Sequence, residues 1–403
     1  MDSEQQTYQH PNSPLRPKIV LTPDSFKGSL SAREVAQAMS DGIRRAVPDA
    51  NIVELPIADG GEGTIDALLG TEGKDFSVRV RSASGRSITA RVAILADGTG
   101  VVEVASIVGI TDPDGMSVPF GMRTTFGVGD SIKALLARDV RRIYVALGGS
   151  STSDGGAGML VALGARLNDS NGDTVAPLPV NLHRVRRVDL SNFDVRLTET
   201  ELILLCDVHN PLNGPNGAAA IFGPQKGGLP EEVAAIDNGV AQYAGAAERA
   251  FGIRAAEREG AGAAGGLGFA LMLLGGSARN GASVVLDAQN FDTLIVGAQW
   301  HVTGEGRSDL QSIGGKAPSI AAIRASNAGV PTTLVSGSID LNALHELDLR
   351  FTGCFSIAPG PVTLDSAIRN ARLFISTTME QLARLRFAPH SRSVAQTDQI
   401  FTT

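Results

Sequence analysis

The chain has 403 residues, 47 of them glycine, where average usage is nearer ~7%. That excess without a G-X-Y period excludes collagen, and 43% hydrophobic residues exclude a disordered chain. The 35 basic and 42 acidic residues give a net charge of −7, which argues against a nucleic-acid partner while leaving room for a local cationic site for a small anion.

At ~100–200 residues per domain the length suggests two or three domains. The polar stretches 1–16 and 391–403 read as tails. The first of these lacks the apolar core of a signal peptide, and no stretch reaches the ~18 apolar residues of a membrane span. Cys206 and Cys354 lie in apolar runs and read as buried, reduced thiols. A cytoplasmic protein without membrane contact is the expectation.

In chain order, KIVLTP (18–23) reads as a buried strand. Ser31 and Glu34 form a capping box for a helix that carries Val35, Met39, Ile43 and Val47 on one face. NIVELPI (51–57) is the next strand, so the chain opens as a βαβ unit with a parallel sheet. Residues 77–106 alternate apolar and polar around SASG and DGTG turns, which predicts an antiparallel meander with one wet face. A helix over 130–138, a strand RRIYVAL, a glycine-rich loop, a helix GMLVALGA and a strand ELILLCDV follow, then an Ala-rich helical region over 231–276. WHVTGE, PTTLVSG and GCFSIAP read as strands alternating with helices, of which the last (363–385) is predicted to be the longest. The predicted layout is an α/β domain built from both chain ends (17–70 and 286–390) and interrupted by a mixed α/β domain (71–285), with the ligand site in the cleft between them.

Four strand–helix junctions combine glycines, small hydroxyls and charges: 23–29 (PDSFKGS), 58–64 (ADGGEGT), 148–158 (GGSSTSDGGAG) and 303–316 (TGEGRSDLQSIGGK). In a parallel sheet such junctions lie at the carboxyl ends of the strands, where ligands bind, and backbone amides there can approach an anion. Lys27, Arg307 and Lys316 supply positive charge for a phosphate or carboxylate. Asp24, Asp59, Glu62, Asp154, Glu305 and Asp309 are oxygen donors suited to Mg²⁺, or to orienting a hydroxyl. A phosphate cradle, metal carboxylates, a base and a cationic clamp are the parts that phosphoryl transfer needs. Two further segments are turns that could belong to a site: Asp207 and Asn210 in CDVHNPL, and Lys226 in FGPQKGG, the latter read as a surface turn. His209 reads as structural. A P-loop motif is missing, the G-x-G-x-x-G at 260–265 follows a helical rather than a strand pattern, and the six histidines are too scattered for a zinc site.

Taken in order, PDSFKGSLSAREVAQAM, LPIADGGEGTIDALL, GGSSTSDGGAGML, CDVHNPL, FGPQKG, GAAGGLG and TGEGRSDLQSIGGKAP resemble the class I (bacterial-type) glycerate kinases over residues 18–387. The resemblance implies a flavodoxin-like domain interrupted by a second α/β domain, and ATP- and Mg²⁺-dependent phosphorylation of D-glycerate, with 2-phosphoglycerate favoured over 3-phosphoglycerate. On that footing Arg307 or Lys27 would hold the glycerate carboxylate, and Asp207 or Asp59 would accept the hydroxyl proton. Asp24, Ser25, Glu62 and Asn210 would complete the substrate site. Gly149, Ser150, Asp154, Gly155, Gly156 and Lys316 would receive the nucleotide phosphates, and Asp154, Glu305 and Asp309 the metal. Departures from the family pattern include Phe126 and Val128 in TTFGVGD, Ser151 and Ser153 in the glycine-rich loop, and the bulkier Ile107-Val108. A kinase for another short hydroxy acid, a non-catalytic binding protein for a sugar acid or nucleotide, and a nicotinamide oxidoreductase are the rival readings.

Overall fold

The computed structural model describes residues 16–387, so both predicted tails lie almost wholly outside the described residues. Two sheets organise it. The first uses strands from the two ends of the chain: β1 (Lys18–Pro23) and β2 (Asn51–Glu54) before the second sheet, then three strands after it. The second sheet takes β3 (Lys74–Arg81), β4 (Ser87–Ile94), β5 (Gly100–Glu103), β6 (Arg142–Ala146), β9 (Glu201–Leu205) and β10 (Ser277–Arg279), while β7 (Arg166–Asn168) and β8 (Arg187–Asp189) pair separately. The last three strands, β11 (Trp300–Ser308), β12 (Thr332–Ile339) and β13 (Gly353–Ser356), complete the first sheet.

The first sheet is parallel throughout, in the order β13-β12-β11-β1-β2. Renumbered by sequence among themselves, its strands run 2-1-3-4-5, the flavodoxin-like order, with the topological switch point between β1 and β11. Alternation along β1 sends Ile19 and Leu21 to one face and Val20 to the other. The first face packs on the helices Ala32–Ala46 and Ala371–Phe387, and the second on Ala317–Asn327 and Gly281–Ala288. The capping box forms as the sequence implies: Glu34 N–H donates to Ser31 Oγ, and Ser31 N–H donates to Glu34 Oε2 at 2.9 Å. Val35, Met39 and Ile43 are buried below it.

The second sheet is mixed. β3 and β4 form the expected antiparallel hairpin, but β5 pairs antiparallel with β4 on one side and parallel with β6 on the other. All four residues of β5 are therefore buried, and the wet face is confined to β3 and the first half of β4, at Ser87 and Thr89. The two sheets share one apolar cluster, in which Val20 of β1 and Ile57 join Ala93, Val101, Ala146 and Ile203 of the second sheet.

Several helix boundaries differ from expectation. The helix predicted over 130–138 starts earlier and spans Phe126–Leu136. The last helix breaks after Asn370 into Leu364–Arg369 and Ala371–Phe387, so the longest helix is Pro230–Phe251. The Ala-rich region is not helical throughout: Ala264, Gly265 and Gly266 have φ of 51°, 68° and 97° and fold as a turn against the glycine-rich loop. Phe126 lies under the Arg81 guanidinium, 3.2 Å from its ring centroid, and Val128 is core, so neither departure from the family pattern reaches the cleft described below.

Gly42 marks the closest approach of the two helices on the outer face. A Cβ there would overlap the Ser376 carbonyl oxygen and lie 2.9 Å from Met379 Cβ. In an open helix Gly→Ala gains up to ~1 kcal/mol. Here backbone has to move, and Gly42→Ala is expected to destabilise by about 1–3 kcal/mol, read as a lower denaturant midpoint at unchanged slope.

Candidate active site

The charged junctions converge at the carboxyl ends of the strands. Asp24 follows β1 directly, and its N–H donates to the Gly304 carbonyl of β11 at 2.8 Å, which seats it at the switch point. Glu305, within β11, stands beside it. Asp59 lies on the connection after β2 and accepts from Gly61 N–H at 2.9 Å. Asp207 lies two residues beyond β9 of the other sheet. Lys27 Nζ is 3.8 Å from Asp59 Oδ2, with its side chain 68% exposed to the cleft. Lys316 Nζ is 3.9 Å from Glu305 Oε2 and 4.0 Å from Asp309 Oδ1.

Backbone contact brings the loops together. Gly148 N–H donates to the Gly60 carbonyl at 2.9 Å, and a Cβ on Gly148 would lie 2.6 Å from Gly61 Cα. A Cβ on Gly60 would lie 2.7 Å from the Leu205 carbonyl at the end of β9. Side chains here would hold the two sheets apart.

The resulting cleft has two lobes that share Lys27, Asp59 and Lys316. The larger, about 660 Å³, adds Asp24, Ser25, Glu305 and Arg307 near the shared residues and an apolar far wall of Ile357, Val362, Leu364, Ile368 and Phe374. The smaller, about 350 Å³, adds Glu62, Gly149, Ser150, Asp207 and Lys226.

Crowding of acids sets the electrostatics. Burial, then the neighbouring Asp59, pushes Asp24 up to about 8. Asp207 is raised by the same two causes, and Glu305 mainly by burial, against hydrogen bonds from Ser312 and Ser308 and the charge of Lys316. Lys27 is raised in turn, chiefly by Asp59. The site therefore has proton acceptors with raised affinity next to exposed cations, which suits transfer of an anionic group to a hydroxyl.

Most predicted site residues meet here: Asp24, Ser25, Lys27, Asp59, Glu62, Gly149, Ser150, Asp207, Glu305, Arg307 and Lys316 all line the cleft. Asp309 stands behind them, 3.7 Å from Arg307 Nε. Four residues lie elsewhere. Asp154 is fully buried, and its carboxylate accepts from Thr125 N–H, Thr125 Oγ1, Gly156 N–H and Gly158 N–H, so it organises the glycine-rich loop from inside and presents no oxygen to a metal or phosphate. Gly155 and Gly156 pack against Tyr243 and Ala270 in the core. Asn210 closes its own turn through Asn216 O at 2.9 Å. His209 is exposed, beside Glu259.

Two buried charges carry more than the sequence suggests. Lys226 is only 5% exposed, and its Nζ donates to Ser150 Oγ at 3.2 Å and to Thr152 O at 2.7 Å. Burial pushes its ammonium down, to about 7. Glu103, at the end of β5, accepts from Ile65 N–H at 3.1 Å and so holds the start of the helix Thr64–Leu69 behind the Asp59 loop. The available signal for Lys226 was its place between glycines in FGPQKGG; Glu103 sits in an apolar run with no motif around it.

Residues 19–386 match the family model described as the glycerate kinase family. The chain belongs to the glycerate kinase family. It is 39% identical over 376 residues to glycerate kinase of Bacillus subtilis (strain 168), an alignment covering 91% of this chain and 97% of the relative. It is 39% identical over 359 residues to glycerate 2-kinase of Escherichia coli (strain K12), covering 88% and 94%. A crystal structure from Salmonella typhimurium LT2, assigned as glycerate kinase 2, superposes with a TM-score of 0.77 at 36% identity, covering 92% of this chain and 98% of that one. The chain is thus a kinase, an ATP-dependent phosphotransferase with an alcohol acceptor. Among the described residues no helix is long and apolar enough to cross a membrane.

The raised carboxyl of Asp24 has a consequence for stability. A group bound more tightly to its proton in the folded state stabilises fully below its unfolded value, 3.8, and that contribution is lost as pH rises toward about 8. Asp24→Asn is neutral at every pH, so its melting temperature is expected to exceed the parent's by more at pH 8 than at pH 5. Equal differences at the two pH values would show that Asp24 ionises freely.

Proposed function

We propose that this kinase phosphorylates D-glycerate on its 2-hydroxyl, with the ATP nucleoside in the larger lobe and the acid in the smaller. The observation that carries this reading is the shared wall of Lys27, Asp59 and Lys316 between a large lobe with an apolar far side and a small polar one. A nucleoside needs the volume and the apolar surface, and a three-carbon acid needs neither. This exchanges part of the assignment expected from the motifs: Arg307 lines only the larger lobe and is given to the nucleotide phosphates, while Gly149 and Ser150 line only the smaller and are given to the acid.

Asp207 is the proton acceptor in this reading. It lies in the smaller lobe, with its proton affinity raised by burial and by Asp59, whereas Asp59 is engaged by Gly61 N–H and Lys27. The acid's hydroxyl loses its proton to Asp207 as its oxygen attacks the terminal phosphorus, and ADP leaves toward the larger lobe. Lys27 and Lys316 stand where charge develops on the transferring group. Cleft carboxylates are the hard oxygen donors that Mg²⁺ takes, and Asp59 and Glu305 would hold it. Among the described residues no three His, Cys, Asp or Glu side chains form a ready metal cage. When bound, the ion neutralises phosphate charge. The preference for the 2-hydroxyl rests on the family resemblance and on the relative named glycerate 2-kinase.

The test is ADP release with D-glycerate and ATP, with and without Mg²⁺, and phosphorus NMR of the product. A 2-phosphoglycerate resonance is expected, and a 3-phosphoglycerate one would overturn the regiochemistry. Tartronate, lactate and hydroxypyruvate in the same assay separate the kinase of another short acid. Asp207→Asn is expected to lower kcat by ~10²–10⁴-fold with the KM for ATP little changed. Ala367→Trp, which fills the larger lobe, is expected to raise the KM for ATP by about tenfold (~1.4 kcal/mol) and to spare that for glycerate.

A further inference from the structure

Lys226 is the C-terminal residue of a single 3₁₀ turn, Pro224–Lys226, that dips its side chain into the wall of the smaller lobe. Two of its ammonium N–H groups serve Ser150 and Thr152, and the third has no partner among the described residues. Behind it lies a second buried cation. Arg123, 3% exposed, donates to the carbonyls of Val118, Ser151 and Lys226 at 3.0, 3.3 and 2.8 Å. The hydrogen-bond partners of these two cations are all neutral. The charged groups acting on Lys226 are Asp154, which favours its charge, and Arg123, which opposes it. Asp154 is already committed to Thr125, Gly156 and Gly158, and its own burial disfavours its charge. Lys226, opposed by a second buried cation, thus has only one occupied carboxylate to favour its charge, an arrangement that is costly until a further anion enters.

We propose that Lys226 is a specificity-determining residue that binds the carboxylate of the acid in the smaller lobe, beside Ser150, and so selects a hydroxy acid over its neutral analogues. The proposal rests on the reading of the smaller lobe as the acid's. A loop pin would need only the two bonds that Lys226 makes to Ser150 and Thr152. The remaining N–H belongs to a side chain that lines the same lobe as Asp207, the group that deprotonates the substrate hydroxyl in this reading.

The experiment compares D-glycerate with its neutral isostere D-glyceramide in the parent enzyme, Lys226→Met and Lys226→Arg, and measures the KM for ATP and the melting temperature of each. The parent is expected to prefer the acid by ~10²-fold or more. Lys226→Met should raise the KM for D-glycerate by ~30–100-fold, leave the KM for ATP within about threefold, and lose most of the preference over the amide; Lys226→Arg should keep most of it. An intact preference in Lys226→Met, with a lowered melting temperature, would reduce Lys226 to a loop pin and leave the lobe assignment standing. A raised KM for ATP with that for glycerate unmoved would overturn the lobe assignment itself. Should Lys226→Met not fold, calorimetry at pH 8 in two buffers of different ionisation enthalpy decides. Glycerate binding should draw a proton into the parent that Lys226→Arg, already charged, does not take up, and equal uptake in both refutes the proposal.

Discussion

The cleft is organised around one electrostatic conflict: Asp24, Asp59, Asp207 and Glu305 are brought to the ends of parallel strands with too little solvent to separate their charges. Lys27 stands among all four and is raised by each of them. The conflict arises from topology. Asp24 and Glu305 occupy the switch point between β1 and β11, where the two helical connections leave in opposite directions and a crevice must open. Asp207 comes from the other sheet and meets them because the β6 and β9 carboxyl ends face the same crevice. A site that must hold a polyanion is thus lined by Asp24, Asp207 and Glu305, whose proton affinity burial raises.

The union of the two sheets depends on a different economy of space. The glycine excess first pointed to amides facing phosphates, and part of it does lie at the cleft, at Gly148 and Gly149. Its larger use is backbone-to-backbone packing, as where Gly148 rests on Gly61 and Gly60 on Leu205. The apolar cluster that continues beneath these loops, from Val20 to Ile203, fixes the relation of Asp59 to Asp207, residues that no single sheet contains.

Legibility in the sequence followed how local each feature was. The βαβ opening and the capping box came from patterns within 30 residues, whereas the flavodoxin-like order was implied only by the family resemblance; strand β1 has the bounds the apolar run implies. The partners of β5 were not legible, since a GVVE run alone cannot say that its second neighbour is parallel. In GGSSTSDGG, composition promised a phosphate loop from end to end. Only Gly148, Gly149 and Ser150 reach the cleft, because the chain turns inward at Ser151, whose N–H donates to the Val108 carbonyl, and Asp154 then ties the remainder to Thr125. Asp154 and Lys226 traded roles for the same reason. An acid in a glycine loop looks exposed and a lysine in a Gly-Pro turn looks solvated, and burial, which reverses both, is a property of the whole fold.

The negative total charge and the anionic ligands are reconciled by where the cations sit. Lys27, Arg307 and Lys316 are presented to the cleft on side chains that can follow a phosphate, with Lys27 and Arg307 largely exposed. Lys226 is fixed and dry. Mobile, hydrated cations suit a group that must arrive, change its charge distribution and leave, because their hydration can adjust at each stage. A buried cation held by a hydroxyl and a carbonyl discriminates instead, since a ligand without the matching anion leaves it desolvated and unpaired. The division of the cleft into a wide lobe with solvated charge and a narrow one with buried charge is therefore also a division between transfer and selection, and the carboxylates at the shared wall lie where the two must meet.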